Sequence, residues 1–336
     1  MTGHGLNGSI QHGGNLARAR ELFPQAPQPW IDLSTGINPH SYPHSPVPGN
    51  ALSRLPEPSL VQELKAIAAK AYGAPSPAHV AAGPGTQILL PIIAGLSGRR
   101  GAAAVLSPTY AEHARAAGLA GFEVAETDDL EALASANLAV VVNPNNPTGR
   151  VVPKNNLLAL ASVMRAKGAL LVVDEAFMDV SEAESMADAV DEGGMVVLRS
   201  FGKFYGMAGL RLGFAISHPS LVRQVEERLG PWAISGPALH VANEALCDSE
   251  WRLKMLDRLR IDAARLDMLL AAASVPPIGG TLLFRFARTP RAQAVFQHLG
   301  ERGIITRRFE DRPDDLRIGL PDADGWSRLE KAMKAA

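Results

Sequence analysis

At 336 residues the chain exceeds what one hydrophobic core usually holds, so a large domain plus a smaller one is expected. Its 46% hydrophobic and 20% charged residues exclude a disordered chain, and 33 Lys+Arg against 34 Asp+Glu, with no basic block, exclude a nucleic-acid partner. A single cysteine, Cys247, excludes an intrachain disulfide and reads as a small core residue; no Cys/His cluster has zinc spacing, so no metal is expected.

No apolar run approaches the ~20 residues of a membrane span and none resembles a signal peptide, which points to a cytoplasmic protein with no membrane partner. In chain order, residues 1–58 are rich in Gly, Pro, His and Asn with little periodicity, and read as an N-terminal arm (1–40) running into loops. Leu60, Leu64, Ile67, Ala68 and Ala71 fit a helix to Tyr72, ended by Gly73-Ala-Pro75. Short apolar runs then alternate with helical stretches: Val80–Ala82, Ala102–Leu106, Leu138–Val142, Ala169–Val173, Met195–Leu198 and Phe214–Ser217. Such runs are strands buried on both faces. They predict an α/β large domain (41–230) with a mainly parallel sheet. A helix over 251–273 leads out of it, and Thr281–Phe286 and Leu316–Leu320 predict strands of a small α+β C-terminal domain (231–336).

The unusual residues fall at strand ends, where ligands of open α/β sheets sit. Gly83-Pro-Gly85-Thr86 precedes a helix expected over 88–96, and reads either as an anion-binding turn or as a tight turn capped by Thr86. Tyr110 follows Val105-Leu106, where its ring can stack on a flat heterocycle or simply pack. Asn143-Pro-Asn-Asn146-Pro-Thr-Gly149 reads either as turn chemistry or as an exposed amide for a ligand. Asp174 closes a buried run, where a carboxylate needs a partner such as a protonated ring nitrogen. The segment Ser200-Phe-Gly-Lys203, with Arg211 beyond, joins a hydroxyl, an amine and a guanidinium among glycines. Desolvation frees an amine lone pair for attack on a carbonyl, and an arginine fork suits phosphate. Alone, the segment also reads as a surface loop.

In this order the residues resemble the fold type I pyridoxal-phosphate enzymes, with an aspartate aminotransferase-like fold, and most closely the histidinol-phosphate aminotransferase branch. The resemblance implies pyridoxal 5'-phosphate as cofactor, Lys203 as its covalent anchor and Asp174 beneath its pyridine nitrogen. It assigns Asn146 to the ring hydroxyl, Tyr110 to stacking, and Gly85, Thr86, Ser200 and Arg211 to the phosphate. Arg317, with Arg307, is implied for the substrate carboxylate. A homodimer is implied as well.

Two features are similar to the L-threonine-O-3-phosphate decarboxylases of cobalamin biosynthesis. One is the pair His12-Gly-Gly-Asn15 and Asp32-Leu-Ser-Thr-Gly-Ile-Asn38-Pro39, which would bring His12 and Asn38 to the phosphate of a phosphorylated amino-acid substrate. The other is Phe177, where the aminotransferases of this branch commonly carry Tyr. Against the pattern, Arg54-Leu-Pro-Glu57 puts Leu55 where relatives have a tyrosine that reaches the partner subunit's cofactor phosphate. The expected activity is decarboxylation of threonine phosphate. The rivals are a histidinol-phosphate or aromatic aminotransferase, a nucleotide-binding α/β protein using the Gly83 turn, and a non-catalytic descendant of the fold.

Overall fold

The computed structural model describes residues 10, 12–98 and 100–334. Its strands, in chain order, are β1 Ile31–Asp32, β2 Val80–Gly83, β3 Ala102–Leu106, β4 Glu123–Thr127, β5 Leu138–Val142, β6 Leu170–Asp174, β7 Met195–Ser200 and β8 Gly213–Ser217, then β9 Gly279–Thr281, β10 Phe284–Arg288, β11 Ile304–Ile305, β12 Arg307–Arg308 and β13 Asp315–Gly319. The chain forms two units. One comprises Tyr42–Asn146 and Val151–Ser249; the other comprises Ile10–Ser41, Pro147–Arg150 and the chain from Glu250 onward. Among the described residues no helix is long and apolar enough to cross a membrane.

The first unit is built on a seven-stranded sheet in the order β2-β8-β7-β6-β5-β3-β4. All strands run the same way except β8, which is antiparallel to both neighbours, β2 and β7. The central strands β5, β6 and β7 are buried at every position, as continuous apolar runs require. Alternate residues serve opposite faces. Ala103, Val105, Leu138, Val140, Leu170, Val172, Val196 and Leu198 form one core with Leu89, Leu90 and Ile93 of the helix Thr86–Ala94 and Val222 and Val225 of the helix Pro219–Leu229. Each fully buried aliphatic side chain of this size stabilises by about 1.5–3 kcal/mol, so the sheet's placement is over-determined. The helix Pro58–Tyr72 starts with proline in its first turn and ends at Gly73 in the left-handed conformation (φ 76°), as its sequence predicts.

The second unit holds a four-stranded sheet, β12-β13-β10-β9, and a separate parallel pairing of β1 with β11. Three expectations change here and nearby. The run 281–286 is not one strand: Thr281 Oγ1 accepts from Leu283 N–H (3.2 Å), and a tight turn through Leu282 and Leu283 makes it the hairpin β9–β10. The N-terminal segment is not all loop, since Leu16–Leu22 is helical, with Asn15 Oδ1 capping Arg18 N–H. Cys247 is exposed rather than core, because the buried face of its helix, Gly236–Cys247, runs through Ala238, Val241, Ala242 and Ala245.

Candidate active site

The sheet edge where β2, β3, β5, β6 and β7 end and β8 begins collects eight of the twelve sequence-predicted site residues: Gly85, Thr86, Tyr110, Asn146, Asp174, Ser200, Lys203 and Arg211. The other four, His12, Asn38, Arg307 and Arg317, belong to the second unit.

At the β2–β8–β7 corner, Ser200, Gly213 and Gly83 lie in register across three strands. A Cβ on Gly213 would fall 2.6 Å from Thr86 N, so the start of the helix Thr86–Ala94 is pressed against β8. Gly85 rather than Thr86 occupies the helix cap, with φ 90°, and a Cβ there would lie 2.8 Å from Arg211 Nη2. Arg211 itself adopts a left-handed backbone (φ 55°), and its Nη1 donates to Ala208 O at 3.0 Å. The Thr86 backbone N–H at a helix start and the Arg211 guanidinium thus border a concavity that a Cβ would fill, with Ser200 in register beside it. Such a set suits a phosphate.

Asp174 is 5% exposed and doubly held: Oδ1 accepts from Ala176 N–H (3.0 Å) and Oδ2 meets His113 Nε2 (2.8 Å). His113 is buried on the helix Glu112–Leu119 and lines a small apolar cavity with Leu90, Ile93, Ala116, Val140 and Val172. Sequence reading missed it. Its only local sign is the i,i+3 spacing from Tyr110, whose ring it meets edge-on at 6.0 Å. Tyr110 Oη donates to Gln87 Oε1 (3.0 Å), and Gln87 Nε2 donates to the buried Glu112 (2.7 Å), so the tyrosine is tied to the helix that starts at Thr86.

The asparagine-rich turn divides its labour. Asn143 exchanges two hydrogen bonds with the Val152 backbone, and Asn145 bonds Thr109 and Pro108 O, so both hold the loop. Turn chemistry therefore accounts for those two, and Asn146 follows them as the last residue of its run in the first unit. Lys203, half-buried in the short helix Phe201–Phe204, points its ammonium over the buried Phe177 ring at 5.7 Å from the centroid. A lysine, a carboxylate aimed from a buried strand end and a phosphate-type concavity together suit a flat heterocycle with a protonated nitrogen, an anionic arm and a carbonyl that an amine can attack.

In the second unit Arg307 and Arg317 stand directly opposite across β12 and β13. Like charges facing each other in a sheet repel, and an anion placed between them would relieve that repulsion. Arg317 is 6% exposed, lies over the Phe284 ring (5.1 Å), and donates to Ser34 O at 2.5 Å. The two N-terminal motifs meet on that same residue. Gly14 N–H donates to Ser34 Oγ (2.8 Å), and a Cβ on Gly13 would lie 2.2 Å from Ser34 O. Asp32 Oδ1 accepts from Ser34 N–H and Oγ–H. Asn38 is buried and its Oδ1 accepts from His40 N–H (2.9 Å), while His12 is exposed. Asn15, which belongs to the same motif, is spent on the helix cap. Leu55 is 64% exposed.

The geometry agrees with what the chain is similar to. A threonine-phosphate decarboxylase of Pseudomonas aeruginosa is 42% identical over 328 residues, covering 96% of this chain and 97% of the relative. A protein of the same name from a Sinorhizobium species is 41% identical over 98% of each chain. In fold, the histidinol-phosphate aminotransferase of Sinorhizobium meliloti, solved in complex with pyridoxal-5'-phosphate, superposes with a TM-score of 0.82 at 21% identity, over 99% of this chain and 98% of that one. Residues 29–328 match the family described as aminotransferase class I and II. On that match and on relatives aligned end to end, the chain belongs to the aminotransferase class I and II family.

Proposed function

We propose that the protein decarboxylates L-threonine O-3-phosphate to (R)-1-amino-2-propanol O-2-phosphate with pyridoxal 5'-phosphate, in cobalamin biosynthesis. The observation that carries this reading is the end-to-end similarity to threonine-phosphate decarboxylases at 42% identity. The bound cofactor would supply a protonated heterocycle that accepts the electron pair left when carbon dioxide departs.

The chain's own residues divide the remaining work. Lys203 Nζ would be the covalent anchor and, once released and protonated to its ammonium form, would return a proton to the α-carbon, a task that a nearby acid could also serve. Asp174 is the counter-charge that keeps the ring nitrogen protonated, with His113 fixing the carboxylate's orientation. Gly85, Thr86, Ser200 and Arg211 take the cofactor phosphate, Tyr110 stacks on the ring and Asn146 bonds its hydroxyl. Arg317 and Arg307 bind the substrate carboxylate; His12 and Asn38 bind its phosphate. Phe177, with no hydroxyl to offer the ring, supports decarboxylation over the aminotransferase alternative. In this reading the protein works in the cytoplasm as a homodimer, without a nucleic-acid or membrane partner.

The test is incubation of the purified protein with threonine phosphate and pyridoxal phosphate. Stoichiometric carbon dioxide with the cofactor returned unchanged is expected. Conversion of the cofactor to its amine form without carbon dioxide would instead identify an aminotransferase.

A further inference from the structure

Three charged side chains lie in the interior next to the proposed site and have no part in the chemistry above. Arg199 is 3% exposed, Glu175 0% and Asp179 2%. Each is a chain neighbour of something that matters: Arg199 precedes Ser200, Glu175 follows Asp174, and Asp179 lies two positions after Phe177. Arg199 Nη1 donates to Glu175 Oε2 (3.2 Å) and Nη2 donates to Asp179 Oδ1 (2.7 Å). Glu175 is further held by Ser185 Oγ (2.6 Å) and Met186 N–H (2.7 Å), and the guanidinium sits 4.4 Å over the Tyr72 ring.

Burying three charges is expensive, and apolar residues of similar volume often stabilise at least as well. The cluster therefore calls for an explanation beyond stability. Its geometry offers one. The residues from Asp174 to Asp179 form the loop that carries both the Asp174 carboxylate and the Phe177 ring beside Lys203 Nζ. The two arms of one planar guanidinium hold this loop at opposite ends. The same arginine is fixed in β7, one residue before Ser200 and four before Lys203. Glu175 N–H also donates to Leu198 O (2.9 Å), extending the β6–β7 ladder one step past the strand end.

We propose that Arg199, gripping Glu175 and Asp179, is a positioning residue that locks the Asp174–Asp179 loop to the Ser200–Lys203 segment, so that the groups holding the cofactor keep a fixed geometry. This rests on the pyridoxal-phosphate reading given above. Burial pulls the Arg199 guanidinium down, but Asp179 and then Glu175 outweigh it and hold it charged, while burial pushes the Glu175 carboxyl up against the opposing pull of Arg199.

Two variants test it. Asp179→Asn keeps the shape and an oxygen that can accept from Arg199 Nη2, leaves one carboxylate facing one guanidinium, and weakens the grip at one end of the loop by removing its charge. Arg199→Lys keeps the charge but replaces a two-armed fork by a single point. Both are compared with the wild type for pyridoxal-phosphate affinity by equilibrium dialysis, for the visible circular dichroism of the bound cofactor, and for the urea midpoint. Asp179→Asn is expected to weaken affinity by about tenfold, the scale seen when a group orienting a ligand's direct partners is loosened, and to reduce the dichroism, with a urea midpoint near wild type. Arg199→Lys is expected to do the same or more. Wild-type affinity and dichroism in Asp179→Asn, or failure of that variant to fold, would make the cluster a scaffold element and overturn the inference. A wild-type protein that takes up no pyridoxal phosphate at all would overturn the underlying reading instead.

Discussion

His113 and Asp174, 61 positions apart in the chain, meet at 2.8 Å in the interior, where both side chains are almost wholly buried. A carboxylate so placed is stable only with partners, and here one oxygen goes to the Ala176 amide and the other to the imidazole. Both bonds fix the carboxylate plane. Asp174→Asn is expected to bind cofactor yet lower turnover by roughly 10²–10³-fold, the scale of one lost electrostatic partner. His113→Phe should give a smaller loss and leave the pH-dependence of the cofactor's visible absorbance altered. Steady-state kinetics with spectra across pH would check both. Near-wild-type turnover in Asp174→Asn would show that another acid serves the ring nitrogen.

Lys203→Ala is expected to fold normally and lose catalysis altogether, because anchor and proton carrier leave together. Borohydride reduction of the wild type followed by peptide mapping should find the cofactor on Lys203 and nowhere else. Measurable turnover in the variant would remove the lysine from its proposed role.

The sheet was legible in the sequence because β3, β5, β6 and β7 are buried on both faces and so appear as unbroken apolar runs. The residues at their ends stand out in the sequence because Asp174 and the pair Arg199-Ser200 break those runs abruptly, with Lys203 just beyond. The His113–Asp174 pair was not legible, since nothing local to Tyr110-Ala-Glu-His113 shows which distant strand end the imidazole reaches. The hairpin β9–β10 escaped for a similar reason. Its turn residues are Leu282 and Leu283, held by the Thr281 hydroxyl in place of the usual Gly or Asn, so the run looked continuous. Asn143, Asn145 and Asn146 look alike in sequence, and nothing local to them shows that Asn143 ties down the Val152 backbone while Asn145 ties down Pro108 and Thr109.

Gly85→Ala is expected to weaken cofactor retention. The new methyl group would sit 2.8 Å from Arg211 Nη2 on a backbone at φ 90°, a conformation side chains rarely adopt. Strain of this kind costs on the order of 1–3 kcal/mol, and the guanidinium must move away from the concavity. Dialysis should strip the variant of pyridoxal phosphate faster than wild type, with a lowered melting temperature. Unchanged retention would exclude the Gly85–Arg211 concavity as the phosphate site.

Tyr42 gives a pH signature outside the active site. Burial first, then the hydrogen bond from its hydroxyl to Asp248 Oδ2 (3.1 Å) and the negative charge of Asp248 and Glu244, push its pKa from 10.0 up to about 12. A folded-state pKa above the unfolded one means that the native state holds the proton more tightly. The stability this brings is fully present below pH 10 and is lost as pH rises through about 12. Urea titrations at stepped pH should show that decline, and Asp248→Ala should make it shallower without removing it, since burial is the larger cause. A decline unchanged in Tyr42→Phe would assign it to other groups.

The last prediction concerns substrate choice and rests on how the N-terminal motifs are tied together. Gly13 and Gly14 pack on Ser34, and Ser34 O accepts from Arg317, so the arm and the proposed carboxylate arginine share one anchor. Asn38 lies four residues further on, buried, with its amide oriented by His40 N–H. If these groups bind the substrate's phosphate, a substrate without it leaves polar groups unpaired, and such sites reject the analogue by as much as ~10⁴-fold. Plain L-threonine should therefore react far more slowly than its phosphate ester. Asn38→Ala and His12→Ala should narrow that ratio mainly through a raised KM for the ester, while the cofactor's absorbance stays as in wild type. Asn15→Ala should not narrow it, because its side chain caps the helix Leu16–Leu22 and its loss costs about 1 kcal/mol of local stability instead. Equal rates for threonine and threonine phosphate, or an Asn38→Ala variant with full selectivity, would restrict the arm to a structural role and leave the phosphate to be bound elsewhere.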